Sequence, residues 1–133
     1  MNKPRRGHSF LVYHLPAIAY AGLIIALSSL TNVRLPKTQI IALDKVIHFC
    51  EYAFFGVLAF RSASRWHNSV RRDDAAFLAI ACITLYAFGD EFYQSFVPGR
   101  QADMADFYTD VVGSVVGVVI MWALARRSER VIG

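Results

Sequence analysis

Polar and ionisable side chains recur at helical spacing at three places in an otherwise apolar chain. Within each place the residues follow all or part of the pattern i, i+3 or i+4, i+7, i+8, a spacing that puts side chains on one face of an α-helix. The three sets are Asp44, His48, Glu51 and Tyr52; Asp90, Glu91 and Gln94; and Asp106 and Asp110. A histidine beside carboxylates can act as a general base, and clustered carboxylates can bind a cation or a polar ligand.

Four of these residues are candidate catalytic groups: His48, Glu51, Asp90 and Glu91. His48 can act as a base whose imidazole ring is oriented by a carboxylate from Asp90 or Glu91. The other polar residues of the three sets, together with two residues between the second and third sets, are candidates for substrate binding. They are Asp44, Tyr52, Gln94, Arg100, Asp103, Asp106 and Asp110. Arg100 can neutralise nearby carboxylates or bind an anionic group through two parallel hydrogen bonds.

A metal ion is an alternative occupant of the same residues. His48 and Glu51 are three residues apart, and Asp44, Glu91 or Asp106 could complete a set of ligands. The chain nevertheless contains neither an H-E-x-x-H motif nor the paired Glu-x-x-His pattern of di-iron proteins. We therefore expect no metal site and no cofactor.

The apolar segments that carry these sets are long enough to cross a membrane. Of the 133 residues 56% are hydrophobic and 18% charged, and a bilayer core requires about 20 mostly apolar residues per helix. We predict an all-α fold, with one domain over residues 1–133 that forms a four-helix transmembrane bundle. The predicted helices cover about residues 10–30, 46–60, 75–97 and 107–125, and Pro16 is predicted to kink the first.

Charges in the connections indicate how the bundle is oriented. Cytoplasmic loops carry an excess of Lys and Arg, and ten of the 14 such residues flank one side if the four helices alternate in direction. The ten are Lys3, Arg5, Arg6, Arg61, Arg65, Arg71, Arg72, Arg126, Arg127 and Arg130, and the other four are Arg34, Lys37, Lys45 and Arg100. Both termini are therefore predicted to be cytoplasmic. Seven of the ten acidic residues then lie towards the outer side, where carboxylates at membrane depth mark a functional site.

Small residues within the predicted helices suggest how the bundle packs. Gly113 and Gly117 are four residues apart and would allow another helix to approach closely, either within the bundle or in a homo-oligomer. Cys50 and Cys82 lie within apolar segments, and we expect them to be buried and unpaired.

The formal net charge of +4 does not indicate a nucleic-acid partner. The basic residues flank apolar segments, and they are not interleaved with aromatic residues as on a nucleic-acid-binding surface. The basic connection over residues 61–74 is instead expected to contact anionic lipid headgroups.

Two separated motifs identify a related family. They are Asp44-Lys45-x-x-His48-Phe49-x-x-Tyr52 and Asp90-Glu91-x-x-Gln94-Ser95-x-x-Pro98-Gly99-Arg100-x-x-Asp103-x-x-Asp106. Together they closely resemble the VanZ-like family of small bacterial membrane proteins, over roughly residues 15–125. The chain departs from the family pattern at Asp110, where many members have Asn, and this adds a potential charge to the site.

The resemblance implies a multi-pass protein of the bacterial cytoplasmic (inner) membrane. The namesake of the family is linked to low-level resistance to teicoplanin, a lipid-bearing glycopeptide that acts on the outer face of the membrane. We therefore expect a protein that recognises a membrane lipid or lipid-linked cell-envelope amphiphile, with a link to glycopeptide resistance. The alternatives are a membrane enzyme acting on lipid-linked phosphate or carboxylate groups, and a structural membrane subunit.

Overall fold

A computed structural model describes residues 6–30, 37–66, 70–100 and 102–132, with side chains at 10–30, 43–66, 70–100 and 102–128. All regular structure in these ranges is helical, which confirms the predicted all-α class. The helices are α1 (Arg6–Tyr13), α2 (Leu15–Ser28), α3 (Lys37–Ala63), α4 (Arg72–Gln94) and α5 (Met104–Ile132). Lys3, Arg5 and Arg34, three of the charges used to predict the orientation, lie outside the described residues.

The first predicted helix is divided in two, so the described chain has five helices where four were predicted. Pro16, in the first turn of α2, has no backbone N–H and leaves one helical hydrogen bond unmade. Helical bonds continue on both sides of the break: the His14 N–H donates to the Phe10 carbonyl at 2.9 Å, and the Ile18 N–H donates to the His14 carbonyl at 3.1 Å. Where a kink was predicted at Pro16, the structure has a single-residue interruption at His14 between two consecutive helices.

Among the described residues, three helices are long and apolar enough to cross a membrane. Their spanning portions are Leu43–Ala63, Arg72–Gln94 and Met104–Ser128, of 21, 23 and 25 residues. Each of the three includes one of the predicted spans or most of it. The predicted spans begin three to nine residues after the starts of α3, α4 and α5, because the first turns of these helices are also helical. α2 is apolar but has 14 residues, about 21 Å at 1.5 Å per residue.

Glycines allow α3 and α5 to pack closely along their length. A Cβ atom on Gly113 would collide with the Phe49 carbonyl oxygen, and one on Gly117 with the Ala53 carbonyl oxygen. In the opposite sense, Gly56 of α3 leaves room for the Ser114 carbonyl of α5. The close approach predicted for the glycine pair is thus made within the bundle, and the pair supplies no argument for a homo-oligomer.

The outside of the bundle is apolar and part of its interior is polar, the inverse of a water-soluble domain. Phe77 and Leu85 expose 77% and 74% of their surface, whereas Asp110 is fully buried. This distribution suits a lipid environment. Cys50 and Cys82 are free but exposed, so the expectation that they would be buried is wrong: an apolar segment with lipid on one side offers small apolar residues an exposed face as readily as a buried one.

Candidate functional site

A buried contact between α3 and α5 lies at the centre of the polar residues. His48 Nδ1 and Asp110 Oδ1 are 2.9 Å apart, and both side chains are buried. Asp90 or Glu91 was predicted to orient the His48 ring. This prediction is wrong, because the carboxylate bonded to His48 is that of Asp110. The reason is packing: the glycine-mediated approach of α5 brings Asp110 beside the polar face of α3, while the two α4 carboxylates find other partners.

Asp90 is held by α2 and by its own helix. Its Oδ2 accepts hydrogen bonds from the Ser28 hydroxyl at 2.8 Å and from Gln94 Nε2 at 3.1 Å. All three side chains are buried. The predicted spacing of Asp90 and Gln94 on one face of α4 is confirmed, and their shared partner on α2 ties the first apolar segment to the site.

Glu91 fixes the connection between α4 and α5. Its Oε2 accepts a hydrogen bond from the Asp103 backbone N–H at 2.8 Å. Asp103 Oδ1 in turn accepts the Ala105 N–H at 2.8 Å, which caps the start of α5. Gly99 has a φ of 84°, a conformation that lets the chain turn sharply between the two helices. These contacts hold the acids of the second motif next to the residues of the first motif.

Lys45 bridges the two acids at the start of α5. Its Nζ is 2.9 Å from Asp103 Oδ2 and also pairs with Asp106 Oδ1. The hydrogen bond from Lys45, together with the one from the Ala105 N–H, lowers the pKa of Asp103 below its ordinary value. Lys45 thus neutralises part of the acidic cluster, a role for which the sequence offered Arg100.

A polar cavity of about 470 Å³ opens beside this bridge. It is lined by Asp44, Gln94, Gly99, Arg100 and Asp106. Arg100 makes no ion pair within the part of the chain that the structure describes, and its Nε is buried without a hydrogen-bond partner there. A guanidinium group placed between carboxylates but bonded to none of them is available to a ligand.

The last two candidates on α3, Glu51 and Tyr52, lie deeper along the helix. Glu51 is half-buried, and its charged neighbours include His48, Asp90 and Arg100. Tyr52 is fully buried, and its ring packs edge-on against Phe55 at 6.2 Å. Nine of the eleven predicted site residues therefore lie towards one end of the bundle, where α3 and α5 begin and α4 ends, and Glu51 and Tyr52 lie near the middle of the span of α3.

Several buried polar atoms of this cluster have no hydrogen-bond partner among the described residues. They are the Tyr52 hydroxyl, Asp90 Oδ1, Glu91 Oε1, Arg100 Nε and Asp110 Oδ2. Leaving one such group unsatisfied costs roughly 1–3 kcal/mol, and more for charged groups. A network that served only to hold helices together would be expected to satisfy its own members. The unpartnered atoms therefore suggest a ligand, an ion or bound water.

Sequence reasoning missed two participants, Ser28 and Lys45. Ser28 lies near the end of a predicted span, where a lone hydroxyl gives no signal of a partner 62 residues away. Lys45 was counted among the charges of the connections and quoted within the first motif, but no contact was predicted for it. Its position directly after Asp44, within the first motif, was the available signal.

Comparison with protein families decides the relationship that the two motifs suggested. A model of the VanZ/LLP1 family matches residues 6–126, which is most of the chain and includes every candidate residue. The chain belongs to the VanZ/LLP1 family. Comparisons with curated proteins and with solved structures find no match.

The VanZ/LLP1 match extends further towards the amino terminus than the predicted resemblance, and it includes α1. Within this VanZ/LLP1 chain the site combines a buried imidazole–carboxylate pair, a lysine-bridged acid pair and an arginine that faces a cavity. Such a set can bind a ligand carrying both an anionic group and hydrogen-bond donors. Asp44, His48 and Asp106 also lie close enough together to hold a metal ion.

Proposed function

We propose that this membrane protein binds a lipid or lipid-linked cell-envelope amphiphile in a polar pocket that faces the outer side of the bacterial cytoplasmic membrane. The observation that carries the proposal is Arg100, whose guanidinium lines a polar cavity and has a buried, unpartnered Nε within the described chain. A phosphate or carboxylate of the headgroup would pair with it. Asp44 and Asp106, on the same cavity, would accept hydrogen bonds from hydroxyl or ammonium groups.

Four spans with both termini in the cytoplasm are part of this proposal. α1 and α2 follow one another almost without interruption over residues 6–28, about 34 Å of helix, enough for a fourth span. At the end opposite the site, Arg61 and Arg65 lie 5.2 and 5.0 Å from the Tyr13 ring, and Arg126 lies 4.6 Å from the Trp122 ring. Paired basic and aromatic residues are typical of a cytoplasmic membrane interface.

An apolar groove supports an amphiphile as the occupant. A cavity of about 270 Å³ lies between α2, α3 and α4, lined by residues such as Ala21, Phe55 and Tyr86. Tyr86 is one helical turn from Asp90 on the same face of α4, and Ala21 is two turns from Ser28 on the same face of α2. An acyl chain in the groove would thus lie along the same faces of α2 and α4 that reach the headgroup at the polar end.

The link to glycopeptide resistance is the finer part of the proposal. Teicoplanin is itself an amphiphile with ionisable groups and a lipid tail, and it acts on the side of the membrane to which the pocket is assigned. Recognition of such a molecule, or of the envelope component that it targets, would use the same combination of Arg100, carboxylates and apolar groove.

Mass spectrometry of lipids that co-purify with the protein tests this function. Wild type should retain a defined lipid or lipid-linked species, Arg100→Gln should lose it, and Arg127→Gln should retain it. Arg127 is an exposed arginine at the opposite end of α5, so it controls for loss of a positive charge. The proposal is wrong if all three proteins carry the same bulk-membrane lipids in the same proportions.

The His48–Asp110 pair favours one second candidate, a membrane enzyme that acts on lipid-linked phosphate or carboxylate groups. A carboxylate that orients an imidazole can assist proton transfer to or from a substrate. Incubation with a lipid extract, followed by mass spectrometry, distinguishes the two functions. An enzyme would convert a lipid in a reaction that His48→Gln abolishes, whereas a binding protein would release its lipid unchanged.

A further inference from the structure

We propose that Asp44, His48 and Asp106 form a binding site for a divalent first-row metal ion such as Zn²⁺ or Mn²⁺. Each residue offers one ligand atom, and the three atoms lie within 4.8 Å of one another. Ligands of a tetrahedral ion at 2.0–2.2 Å are separated by about 3.4 Å, so small side-chain rotations would complete the site. The proposal departs from the sequence-based expectation of no metal, which rested on motifs confined to single helices.

The backbone already directs the three ligands to one point. Asp44 and His48 are four residues apart on α3 and therefore share a face of that helix. Asp106 comes from the first turn of α5, which the glycine contacts hold against α3. A ligand pair at helical spacing plus a third ligand from a neighbouring helix leaves at least one coordination position open.

Asp110 is the positioning residue of this site. Its Oδ1 is 2.9 Å from His48 Nδ1, and Asp110 itself is fully buried. The bond occupies Nδ1 and leaves Nε2 as the ring nitrogen available to an ion. Metal-binding histidines commonly bond a carboxylate in this way, which fixes the orientation of the ring and increases its basicity.

Two buried carboxylate oxygens near the triad are a second, independent observation that points to a bound ligand or ion. Asp110 Oδ2 and Glu91 Oε1 have no hydrogen-bond partner among the described residues. The charged neighbours of Glu91 include Asp106, Asp110 and His48, which places its carboxyl group close to the proposed site. Within this cluster Lys45 pairs with Asp106 and with the more exposed Asp103. A dication would offset the remaining charge.

Lys45 would compete with the metal, because its ammonium group pairs with Asp106 Oδ1. On metal binding, Lys45 would keep its bond to Asp103 and leave Asp106 to the ion. Asp44 and Asp106 also line the polar cavity that contains Arg100. The open coordination position would therefore lie beside the proposed headgroup pocket, where the ion could bind the same phosphate or carboxylate as Arg100; this last step rests on the proposed function.

Metal binding to the full chain in lipid nanodiscs tests the proposal, with Zn²⁺ and Mn²⁺ as separate probes and no added ligand. Wild type should bind one ion per chain, and Asp44→Asn and His48→Ala should each weaken binding about 100-fold. Asp110→Asn should weaken it about 10–100-fold although Asp110 contacts no metal. Asp74→Asn, an exposed acid at the other end of α4, is the matched control and should bind as wild type does.

Lys45→Met separates a metal site from a purely structural network. If Lys45 competes with the ion, its removal should tighten metal binding several-fold. Unchanged or weaker binding by Lys45→Met, or wild-type binding below one ion per chain, would overturn the proposal. Circular dichroism checks that each variant is folded. If His48→Ala is not folded, metal binding by Asp44→Asn and Lys45→Met still tests the proposal. Because no lipid is measured, failure here leaves the Arg100-dependent binding of an amphiphile as a separate question.

Discussion

Asp110 of α5 and His48 of α3 are 62 residues apart in sequence, and their buried side chains are joined by a 2.9 Å hydrogen bond. The contact depends on the close approach of the two helices, which Gly113 and Gly117 permit. The packing of small residues and the assembly of the polar site are therefore one feature of the fold.

Gly117→Ala should destabilise the bundle by about 1–3 kcal/mol, the usual cost of overpacking a core. A methyl group at Gly117 would collide with the Ala53 carbonyl. Because Ala53 meets it with helix backbone, the collision could be relieved only by moving one helix away from the other. Thermal unfolding in detergent measures the change. Gly89→Ala is the matched control, since its methyl group would have no neighbour within 4 Å. If both variants melt together, the glycine contact does not determine packing.

Ser28→Ala should destabilise the protein by roughly 1.5–3 kcal/mol, the range for hydrogen bonds to charged groups. The substitution removes the 2.8 Å bond to Asp90 Oδ2 and leaves a buried carboxylate held by Gln94 alone. The free energy of unfolding of Ser95→Ala provides the comparison, because the Ser95 hydroxyl is exposed and bonds only a local carbonyl. Equal stability of the two variants would show that Ser28 is not part of the network.

The lowered pKa of Asp103 predicts a pH dependence that Asp103→Asn should remove. The folded-state pKa lies below the ordinary value of 3.8, so the ionised carboxylate stabilises the folded state above that pH. This contribution decreases below pH 3.8 and is lost as the pH falls through the lowered pKa. The melting temperatures of wild type and Asp103→Asn should therefore differ near neutral pH and converge in acid. A difference that stays constant with pH would contradict the assigned contact with Lys45.

The proposed orientation predicts which cysteines react in intact cells. With Cys50 and Cys82 replaced, Ala102→Cys should be labelled by a membrane-impermeant thiol reagent added outside. Ser128→Cys, at the opposite end of α5, should react only after lysis. Both positions are exposed in the structure, so accessibility does not bias the comparison. The reverse pattern would place the polar site in the cytoplasm.

Helical spacing and loop charges allowed much of this arrangement to be predicted from sequence. The 3.6-residue period shows which residues share a helix face, as for Asp90 and Gln94, and alternation of spans brings the acidic ends together. Neither shows which faces meet. The choice of Asp110 over Asp90 as the partner of His48 depends on how closely α5 approaches α3, and the role of Ser28 depends on the rotation of α2. Such contacts between helices have no local signal in the chain.

Affinity for an amphiphile in nanodiscs is the most direct test of the central claim, that Arg100 and its neighbours bind a charged headgroup. The probe is the lipid species found to co-purify with the wild-type protein. Arg100→Gln should weaken its binding on the order of 30-fold or more, since removing one partner of a buried charge pair costs at least about 2 kcal/mol. Arg127→Gln should bind it as wild type does. Equal dissociation constants for wild type and Arg100→Gln would contradict the account.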